Sequence, residues 1–357
     1  MGPVHIVLCE HGKTVNYMRL TFKELKDQIA KVVPKDIPYT VELEAGNIAI
    51  VTPVPNKFGG GEGLIGKIAK RVKRKIVLRP DPSIMKSEED AKKLIKEIVP
   101  ETAEITNIYF DSCYREIIIQ CKNPGEAVGR RGANLNAIRD QTGWLVKVER
   151  TSPLVSKTVH DIRGYRQVHA TERRKLLKDF GLNIHRPMRP GSAWARVTAL
   201  GSYREVGRAC HFVTTNESRV MIDVGVNIAS DTDPMPFFTA PEALPLEKLD
   251  AVVLTHSHLD HAGMLPVLFK YGYRGPVYCT PPTRDLMLLL QTDYLKVGGS
   301  EGKRAPYDME DIRTCMKHVV DVDWGDTTDI APDIKLTFSN AGHILGSAQV
   351  ILDIDEG

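Results

Sequence analysis

The sequence predicts an α/β protein in which two small α+β repeats precede a larger domain of alternating strands and helices. Three observations support this. Residues 31–58 and 97–127 share one pattern of elements, short apolar strands alternate with helices after Trp194, and histidines cluster where one of those strands ends. A length of 357 residues is sufficient for two or three domains. A hydrophobic content of 42% and a charged content of 26% are ordinary for a globular protein.

The charged residues are distributed unevenly along the chain. Residues 1–190 contain 34 Lys and Arg against 22 Asp and Glu, a balance of +12, whereas the rest contains 14 and 23, a balance of −9. A basic half of this kind favours binding to a polyanion. Two solvated surfaces of opposite charge are the alternative interpretation.

Cysteine usage and hydropathy indicate the compartment. The six cysteines are scattered and form no Cys-x-x-Cys pair, which argues against a disulfide scaffold or a zinc ribbon and is typical of a reducing cytoplasm. The sequence has no run of eighteen apolar residues and no secretory signal. We therefore expect a cytoplasmic protein that does not enter a membrane.

The basic half is an internal repeat. KVVPKDIPYTVELEAGNIAIVTPVPNKF at 31–58 parallels EIVPETAEITNIYFDSCYREIIIQCKNPGEA at 97–127. Each segment follows a helical pattern and precedes a glycine loop, a helix and a strand. Alternation such as that of Ile117, Ile119 and Cys121 predicts the strands. Because only two copies are present, we predict tandem small domains, at 1–84 and 85–152.

The glycine loops suggest what the repeats bind. Gly129, Arg130, Arg131 and Gly132 form a G-x-x-G turn before a predicted helix, where a nucleic-acid backbone can approach closely and arginines favour phosphate. The order helix–strand–strand–helix–helix–strand around this turn resembles the type II KH domain, a module that binds RNA and single-stranded DNA. The first copy offers only GLIG at 63–66, without basic residues in the loop, and is predicted to be degenerate. A tight structural turn is the alternative for both loops.

Residues 153–192 are a predicted connector. Segment 151–190 contains 9 Lys and Arg against 3 Asp and Glu, its middle has a helical pattern, and HRPMRPGS at its end has the composition of a linker. Extended contact with an RNA backbone and a solvated basic helix are both compatible with this charge.

The third predicted domain, 193–357, alternates strands with helices near 262–270, 282–296 and 307–319. Three polar residues follow the ends of strands, namely Asp223, His256 and His343. We expect Asp223 to orient a histidine rather than to bind a metal ion itself. The predicted strands are ARVTALG, ACHFVTT, SRVMIDVG, AVVLTH, PVYCT, IKLTFSN and AQVILDI.

The turn THSHLDHAG at 255–263 holds three of the chain's 11 histidines. His256, His258, Asp260 and His261 lie between a strand and a helix, so their side chains can converge, and imidazole with carboxylate suits zinc. Four ligands within six residues can hardly reach one tetrahedral ion, which favours two adjacent ions with a shared hydroxide as nucleophile. His343, in AGHILGSA, is a further expected ligand. A hydrogen-bonded polar turn is the alternative.

Several motifs in this half carry a family resemblance. SRVMIDVG, THSHLDHAG and SNAGHILGS are similar to the first three motifs of the metallo-β-lactamase superfamily, and GSYREVGR at 201–208 resembles the start of its β-CASP nuclease branch. KH-like repeats joined to that branch resemble the archaeal cleavage and polyadenylation specificity factor, a family of ribonucleases implicated in RNA 3′-end formation and transcription termination. The implied fold is two tandem type II KH-like α+β domains followed by the N-terminal part of a metallo-β-lactamase αββα sandwich.

The resemblance also implies roles for the residues. His256, His258 and His343 would bind one zinc ion, and Asp260 and His261 the other. Asp260, which would activate the attacking water, and His258 are the expected catalytic residues. The expected reaction is hydrolysis of single-stranded RNA, by endonuclease or 5′–3′ exonuclease action, while the loop at 129–132 holds the RNA. RNA polymerase and, for the complete protein, a second copy of the chain are further expected partners.

The family pattern continues beyond residue 357. It includes an aspartate that bridges the two zinc ions, a β-CASP domain with further histidines, and a dimerisation segment. We therefore expect this chain, if truncated, to be weakly active or inactive alone, with an incomplete second zinc site and an unpaired sheet edge.

Other functions are also compatible with the sequence. A non-catalytic KH-type RNA-binding protein with a residual metal fold is the main alternative. A hydrolase of small substrates such as thioesters shares the His-x-His-x-Asp-His turn, but the basic repeats argue against it. DNA instead of RNA is a further alternative for the substrate.

Overall fold

The computed structural model describes residues 7–8, 20–59, 63–151, 156–188, 194–230, 232–300 and 305–355. The chain divides into two compact units, Lys23–Lys175 and a second unit that combines Leu176–Gly357 with Met1–Phe22. Strand β1 (Val7–Leu8) belongs to a sheet of the second unit, which the sequence did not predict. The predicted domain boundaries, which divide the chain at residues 84, 152 and 192, stay predictions. Part of the predicted linker, 189–192, lies outside the described residues.

The first repeat forms a three-stranded sheet with two helices. Its central strand pairs antiparallel with one neighbour and parallel with the other. Alternating apolar residues build the core, including Leu25, Ile48, Ile50 and Ile68, which are at most 1% exposed. The elements are α1 (Phe22–Ala30), β2 (Thr40–Glu44), β3 (Asn47–Thr52), α2 (Leu64–Val72) and β4 (Ile76–Pro80).

The second repeat has the same topology and one additional helix. Its sheet again joins an antiparallel and a parallel pair. Trp144 packs edge-on against Phe110, with ring centroids 5.1 Å apart, and its indole donates a hydrogen bond to the Lys86 carbonyl (2.9 Å). The elements are α3 (Glu88–Ile98), β5 (Ile105–Asp111), β6 (Glu116–Cys121), α4 (Pro124–Val128), α5 (Ala133–Thr142) and β7 (Leu145–Arg150). The element order predicted for this repeat is confirmed.

The two glycine loops differ in structure. In the second repeat the loop at 129–132 joins α4 to α5, as predicted. In the first, Gly63 precedes α2 and Gly66 lies inside its first turn, because the apolar face of the helix already begins at Leu64. GLIG at 63–66 is therefore a helix start, and the prediction of a loop equivalent to 129–132 was wrong at this position.

A buried arginine connects the two repeats. The guanidinium of Arg79 donates to both carboxylate oxygens of Glu44 (2.8 and 2.7 Å) and to Glu116 (2.7 Å). The Arg79 side chain is 9% exposed, and it also lies over the ring of Tyr114. A planar guanidinium suits this arrangement because it can donate to two carboxylates at once. Burial raises the pKa of Glu44, a trend that the hydrogen bond and charge of Arg79 oppose.

The connector is helical, as predicted, and forms α6 (Lys157–Val168) and α7 (Ala170–Ile184). Two of its arginines contact acidic residues of the repeats: Arg163 donates to Glu149 (2.8 Å) and Arg174 to Glu42 (2.7 Å). Part of the positive charge that could have favoured RNA therefore stabilises the unit itself.

The second unit contains two sheets, of six and four strands. All seven predicted strands are present, and β1, β13 and β14 are additional. The six-stranded sheet, in the order β13-β12-β11-β10-β9-β8, comprises β8 (Ala195–Gly201), β9 (Cys210–Thr215), β10 (Arg219–Ile222), β11 (Ala251–Val253), β12 (Val277–Cys279) and β13 (Val319–Asp321). The four-stranded sheet, β1-β16-β15-β14, adds β14 (Thr327–Ala331), β15 (Ile334–Asn340) and β16 (Ala348–Ile354).

The helices of this unit follow the predicted strand–helix alternation. They are α8 (Leu259–Ala262), α9 (Leu265–Lys270), α10 (Pro281–Ser300) and α11 (Met309–His318). In the part of the chain that the structure describes, no helix combines the length and apolar character that spanning a membrane requires.

Replacing Arg79 should destabilise the unit formed by the two repeats. Arg79→Ala leaves the buried carboxylate of Glu44 without its partner and Glu116 with only the exposed Lys147, and we expect a loss of about 3–5 kcal/mol in the free energy of unfolding. Urea denaturation followed by circular dichroism measures it. The matched control is Lys122→Ala, which breaks an exposed ion pair with Glu104 and should cost less than about 1 kcal/mol. Equal losses in the two variants would contradict the role of Arg79.

Candidate metal centre

The candidate site lies where strands of both sheets end. Parallel strands β10 and β11 end at Ile222 and Val253, so the residues that follow them, Asp223 and the 255–261 turn, meet at one edge of the sheet. The loop between β15 and β16 brings His343 to the same place. The amide of Ala348, the first residue of β16, donates to the Thr255 carbonyl (2.8 Å) and joins this loop to the turn.

Three histidines converge at this edge. Nε2 of His256 lies 3.2 Å from Nδ1 of His258, and Nε2 of His343 lies 3.3 Å from the same Nδ1. The three rings stand nearly perpendicular to one another, with interplanar angles of 75–88°. Within the described residues, these three are the group of potential ligands whose donor atoms lie within 4.8 Å of one another. The turn and the loop between β15 and β16 therefore bring together three of the predicted ligands.

Thr255, which was not among the predicted site residues, fixes the tautomer of His256. Its hydroxyl donates to Oδ2 of Asp223 (2.8 Å) and can therefore accept a hydrogen bond from Nδ1 of His256 (2.9 Å). This arrangement places the proton of His256 on Nδ1 and leaves the lone pair of Nε2 directed towards the other two histidines. The position of Thr255, one residue before the first histidine, was the signal that could have identified it.

Asp223 also orients His261. Its Oδ2 accepts from Nδ1 of His261 (2.8 Å), and its Oδ1 accepts from the backbone amide of Thr255 (2.8 Å). Asp223 is fully buried and has φ of 60°, a left-handed conformation that places its carboxylate under the turn. This geometry fits the predicted role of Asp223, which is to orient a histidine rather than to bind an ion.

Asp260 and His261 lie beside the three histidines and do not join them in one group. Oδ2 of Asp260 is 3.6 Å from Nε2 of His261, and the rings of His261 and His256 are 4.1 Å apart between centroids. The Asp260 side chain is 34% exposed, so it is accessible from solvent. The five predicted metal ligands thus lie in two adjacent sets, one of three residues and one of two.

The protonation states suit a metal site. Burial, followed by repulsion from His261, lowers the pKa of His256 to about 4. Burial and the neighbouring His343 also lower the pKa of His258. Burial opposes protonation of His261, yet the charge and hydrogen bond of Asp223 raise its pKa. Neutral His256 and His258 offer lone pairs at neutral pH, as metal coordination requires.

These residues fit a bound metal ion. With the proton of His256 on Nδ1, its Nε2 directs a lone pair at another ring nitrogen 3.2 Å away. Nδ1 of His258 can donate to only one of the two Nε2 atoms that face it, so a cation placed between the three nitrogens would satisfy lone pairs that hydrogen bonds alone leave without a proton. Three imidazoles with an open side towards solvent are a donor set typical of catalytic zinc.

The loop that carries His343 is held in place by hydroxyl groups. The Ser347 hydroxyl accepts from the amides of His343 and Ile344 (3.1 Å each). The hydroxyl of Thr280 donates to the Gly346 carbonyl (2.7 Å). Gly346 has φ of 85°, and a Cβ there would lie 2.7 Å from the amide nitrogen of Thr283, so only glycine fits without displacement.

The second candidate site is the loop at 129–132. Gly129 (φ 72°), Arg131 (φ 52°) and Gly132 (φ 79°) have left-handed conformations that turn the chain from α4 into α5. The Asn134 amide donates to the Glu126 carbonyl (3.0 Å) and closes the turn. Arg130 and Arg131 are exposed, and among the described residues neither has a hydrogen-bond or ion-pair partner. The loop can therefore present two free guanidinium groups to an anion.

Comparison with known proteins agrees with this architecture. The family model for the metallo-β-lactamase superfamily domain matches residues 212–354, and that for the KH domain of transcription termination factor FttA matches residues 19–85. The KH match falls on the first repeat, so KH character does not depend on a basic glycine loop. The chain thus contains a KH domain and a metallo-β-lactamase fold, which confirms the predicted fold class.

Curated relatives are similar over nearly the whole chain. The identity is 47% to transcription termination factor FttA of Methanosarcina mazei, 46% to that of Methanocaldococcus jannaschii and 45% to that of Pyrococcus abyssi. Each alignment covers 94% of this chain and 53% of the relative. The chain therefore spans about half the length of the curated relatives it matches. The family resemblance predicted from the motifs is confirmed.

Removing the hydroxyl of Thr255 should weaken metal binding. Thr255→Val keeps the shape of the side chain but removes the acceptor that holds the proton of His256 on Nδ1. We expect zinc affinity to fall about 10- to 100-fold, which competition with a chromophoric chelator measures. Thr327→Val is the matched control because Thr327 is exposed and bonds only to Thr337 on the neighbouring strand. Unchanged affinity in Thr255→Val would exclude this role.

Proposed function

We propose that this homologue of the FttA transcription termination factors is a zinc-dependent ribonuclease that cleaves single-stranded RNA in 3′-end formation and termination. The observation that supports this most directly is the convergence of His256, His258 and His343 at the strand ends of a metallo-β-lactamase fold. The KH domain, in a protein whose relatives are termination factors, supports RNA as the substrate.

In the proposed mechanism each residue has a defined task. His256, His258 and His343 would hold the first zinc ion, and Asp260 and His261 would contribute to a second. Zinc there would supply Lewis acidity for hydrolysis of a phosphodiester. Asp260, partly exposed beside the histidines, would accept the proton of the attacking water. Cleavage would be endonucleolytic, with 5′–3′ exonuclease action as a second mode.

RNA would be held by the second repeat. The two unpaired arginines of the 129–132 loop would bind phosphates, and the left-handed glycines would let the backbone approach. For the complete protein we further propose a cytoplasmic location, contact with RNA polymerase and a homodimer, on the basis of the family resemblance alone.

The alternative is an RNA-binding protein without catalysis. What favours it is the second metal set, which contains two of the predicted ligands, Asp260 and His261, rather than three. The two proposals differ in one assay, which follows a labelled single-stranded RNA with the zinc-loaded chain and with His258→Ala. Cleavage, even if slow, that disappears in the variant supports the enzyme. Binding without cleavage, by a chain that elemental analysis shows to hold both zinc ions, supports the alternative.

The chain should hold one zinc ion tightly and the second weakly. Three imidazoles form the first set, whereas the second has two ligands, and we expect about one zinc per chain after dialysis. Elemental analysis measures the ratio. His258→Ala should reduce it to near zero, while the control His169→Ala, in the other unit and beside Glu172, should leave it unchanged. Two tightly held ions per chain would contradict this prediction.

Removing the two arginine charges of the glycine loop should weaken the binding of RNA of any sequence. Arg130→Ala combined with Arg131→Ala removes two phosphate contacts, so the slope of log affinity against log salt should fall by about two. Fluorescence anisotropy with a labelled oligonucleotide at several salt concentrations measures it. Lys23→Ala with Lys35→Ala removes equal charge from exposed positions elsewhere. If both double variants behave alike, only overall charge matters.

A further inference from the structure

The loop between β8 and β9 presents an aromatic ring and a cation to solvent. Tyr203 is 69% exposed, and Arg204 beside it is also exposed. An exposed tyrosine next to an exposed arginine is a combination that binds single-stranded nucleic acids, because bases stack on the ring and the guanidinium attracts phosphates.

Arg204 differs from the other arginines of its unit. It has no hydrogen-bond, ion-pair or ring partner among the described residues. The others described in 194–355 are each engaged: Arg196 lies over Trp194, and Arg208, Arg219, Arg274, Arg284 and Arg313 donate hydrogen bonds. Among the described arginines of 194–355, Arg204 is thus the one left available for a ligand.

The loop is fixed in shape although its tip is exposed. Arg208 donates to Oε1 of Glu205 (2.5 Å), to Oδ2 of Asp233 (2.5 Å) and to the Met235 carbonyl (3.2 Å). These bonds neutralise two carboxylates that would otherwise compete for Arg204. They also lower the pKa of Glu205 through the hydrogen bond from Arg208. A fixed loop loses little conformational entropy when a ligand binds.

The same loop borders the candidate metal centre. The amide of Ala209 donates to the Asp260 carbonyl (2.8 Å). The backbones pack so closely that a Cβ on Gly225 would lie 1.7 Å from that carbonyl oxygen. The Tyr203 ring is 6.4 Å from the ring of His211, which pairs across the sheet with Ile222, the residue before Asp223. Tyr203 and Arg204 therefore lie on the rim of the site.

We propose that Tyr203 and Arg204 position the single-stranded nucleic acid at the metal centre, with Tyr203 stacking on a base and Arg204 binding a phosphate. The inference rests on the proposed function and names a second contact for the strand, separate from the 129–132 loop. Both residues act as positioning residues. Stacking and phosphate binding are possible with any base, so these contacts would position the strand without selecting its sequence.

The test measures binding of a short labelled oligouridylate, and of the matching oligothymidylate, to the zinc-loaded chain by anisotropy. Tyr203→Ala should weaken binding at least about fivefold, whereas Tyr203→Phe, which keeps the ring, should retain it. Arg204→Ala should weaken binding and reduce the salt slope by about one, and Arg204→Lys should keep the slope. Tyr271→Ala, at an equally exposed tyrosine (64%), and Arg313→Ala are the matched controls.

A second measurement is independent of how the variants fold. An oligonucleotide carrying 5-iodouridine is photo-crosslinked to the unmodified chain, and the modified peptide is identified by mass spectrometry. A cross-link at Tyr203 is the expected result, and zinc content should be unchanged in all four variants. If wild type binds but the variants match the controls and no cross-link forms at Tyr203, this inference is wrong while the proposed function stands.

Other outcomes also decide the matter. If the wild-type chain binds neither oligonucleotide, the proposed function fails and this inference fails with it. Equal losses in Tyr203→Ala and Tyr203→Phe would show that the hydroxyl matters and would exclude stacking. Capture of a protein through the neighbouring exposed Val206, Ile228 and Phe237, with no effect of Arg204→Ala on nucleic acid, would replace a nucleic-acid surface with a protein interface.

Discussion

The buried carboxylate of Asp223 is the group on which the candidate metal centre depends. It accepts three hydrogen bonds, from the amide and hydroxyl of Thr255 and from Nδ1 of His261. Through Thr255 it also sets the tautomer of His256. A single carboxylate that is 0% exposed thus organises both sets of predicted ligands, and its burial in a low dielectric makes each of these bonds electrostatically stronger than it would be in water.

The position of Asp223 follows from the topology of the sheet. Parallel strands bring their carboxyl ends to one edge, and the close approach at Gly225 lets the strand end lie directly against the backbone of Asp260. Polar side chains that are far apart in the sequence, such as His258 and His343, then meet without any long-range charge attraction. The fold supplies the geometry, and the hydrogen bonds select the protonation states.

Much of this arrangement could be predicted from the sequence. The period of two in strands such as Ile117–Cys121 and the close spacing of His256, His258 and His261 report local structure, so the strands and the turn were found. Contacts across the fold carry no such signal. The role of Thr255 depends on its bond to Asp223, which lies 32 residues away in the sequence. The bond from Thr280 to the Gly346 carbonyl joins residues 66 apart. In the sequence, Arg79 could not be distinguished from an exposed arginine. The prediction at Gly63 and Gly66 was wrong because two glycines three residues apart occur both at the start of a helix and in a G-x-x-G loop.

The central claim, a metal centre made by His256, His258 and His343, is tested most directly by zinc K-edge absorption spectroscopy. The chain is loaded with one equivalent of zinc, and the first coordination sphere is fitted. We expect nitrogen ligands at about 2.0–2.1 Å, three of them imidazoles with their outer-shell scattering. A sphere that requires sulfur at about 2.3 Å, or a spectrum that is the same in His258→Ala, would place the ion elsewhere and exclude the three-histidine site.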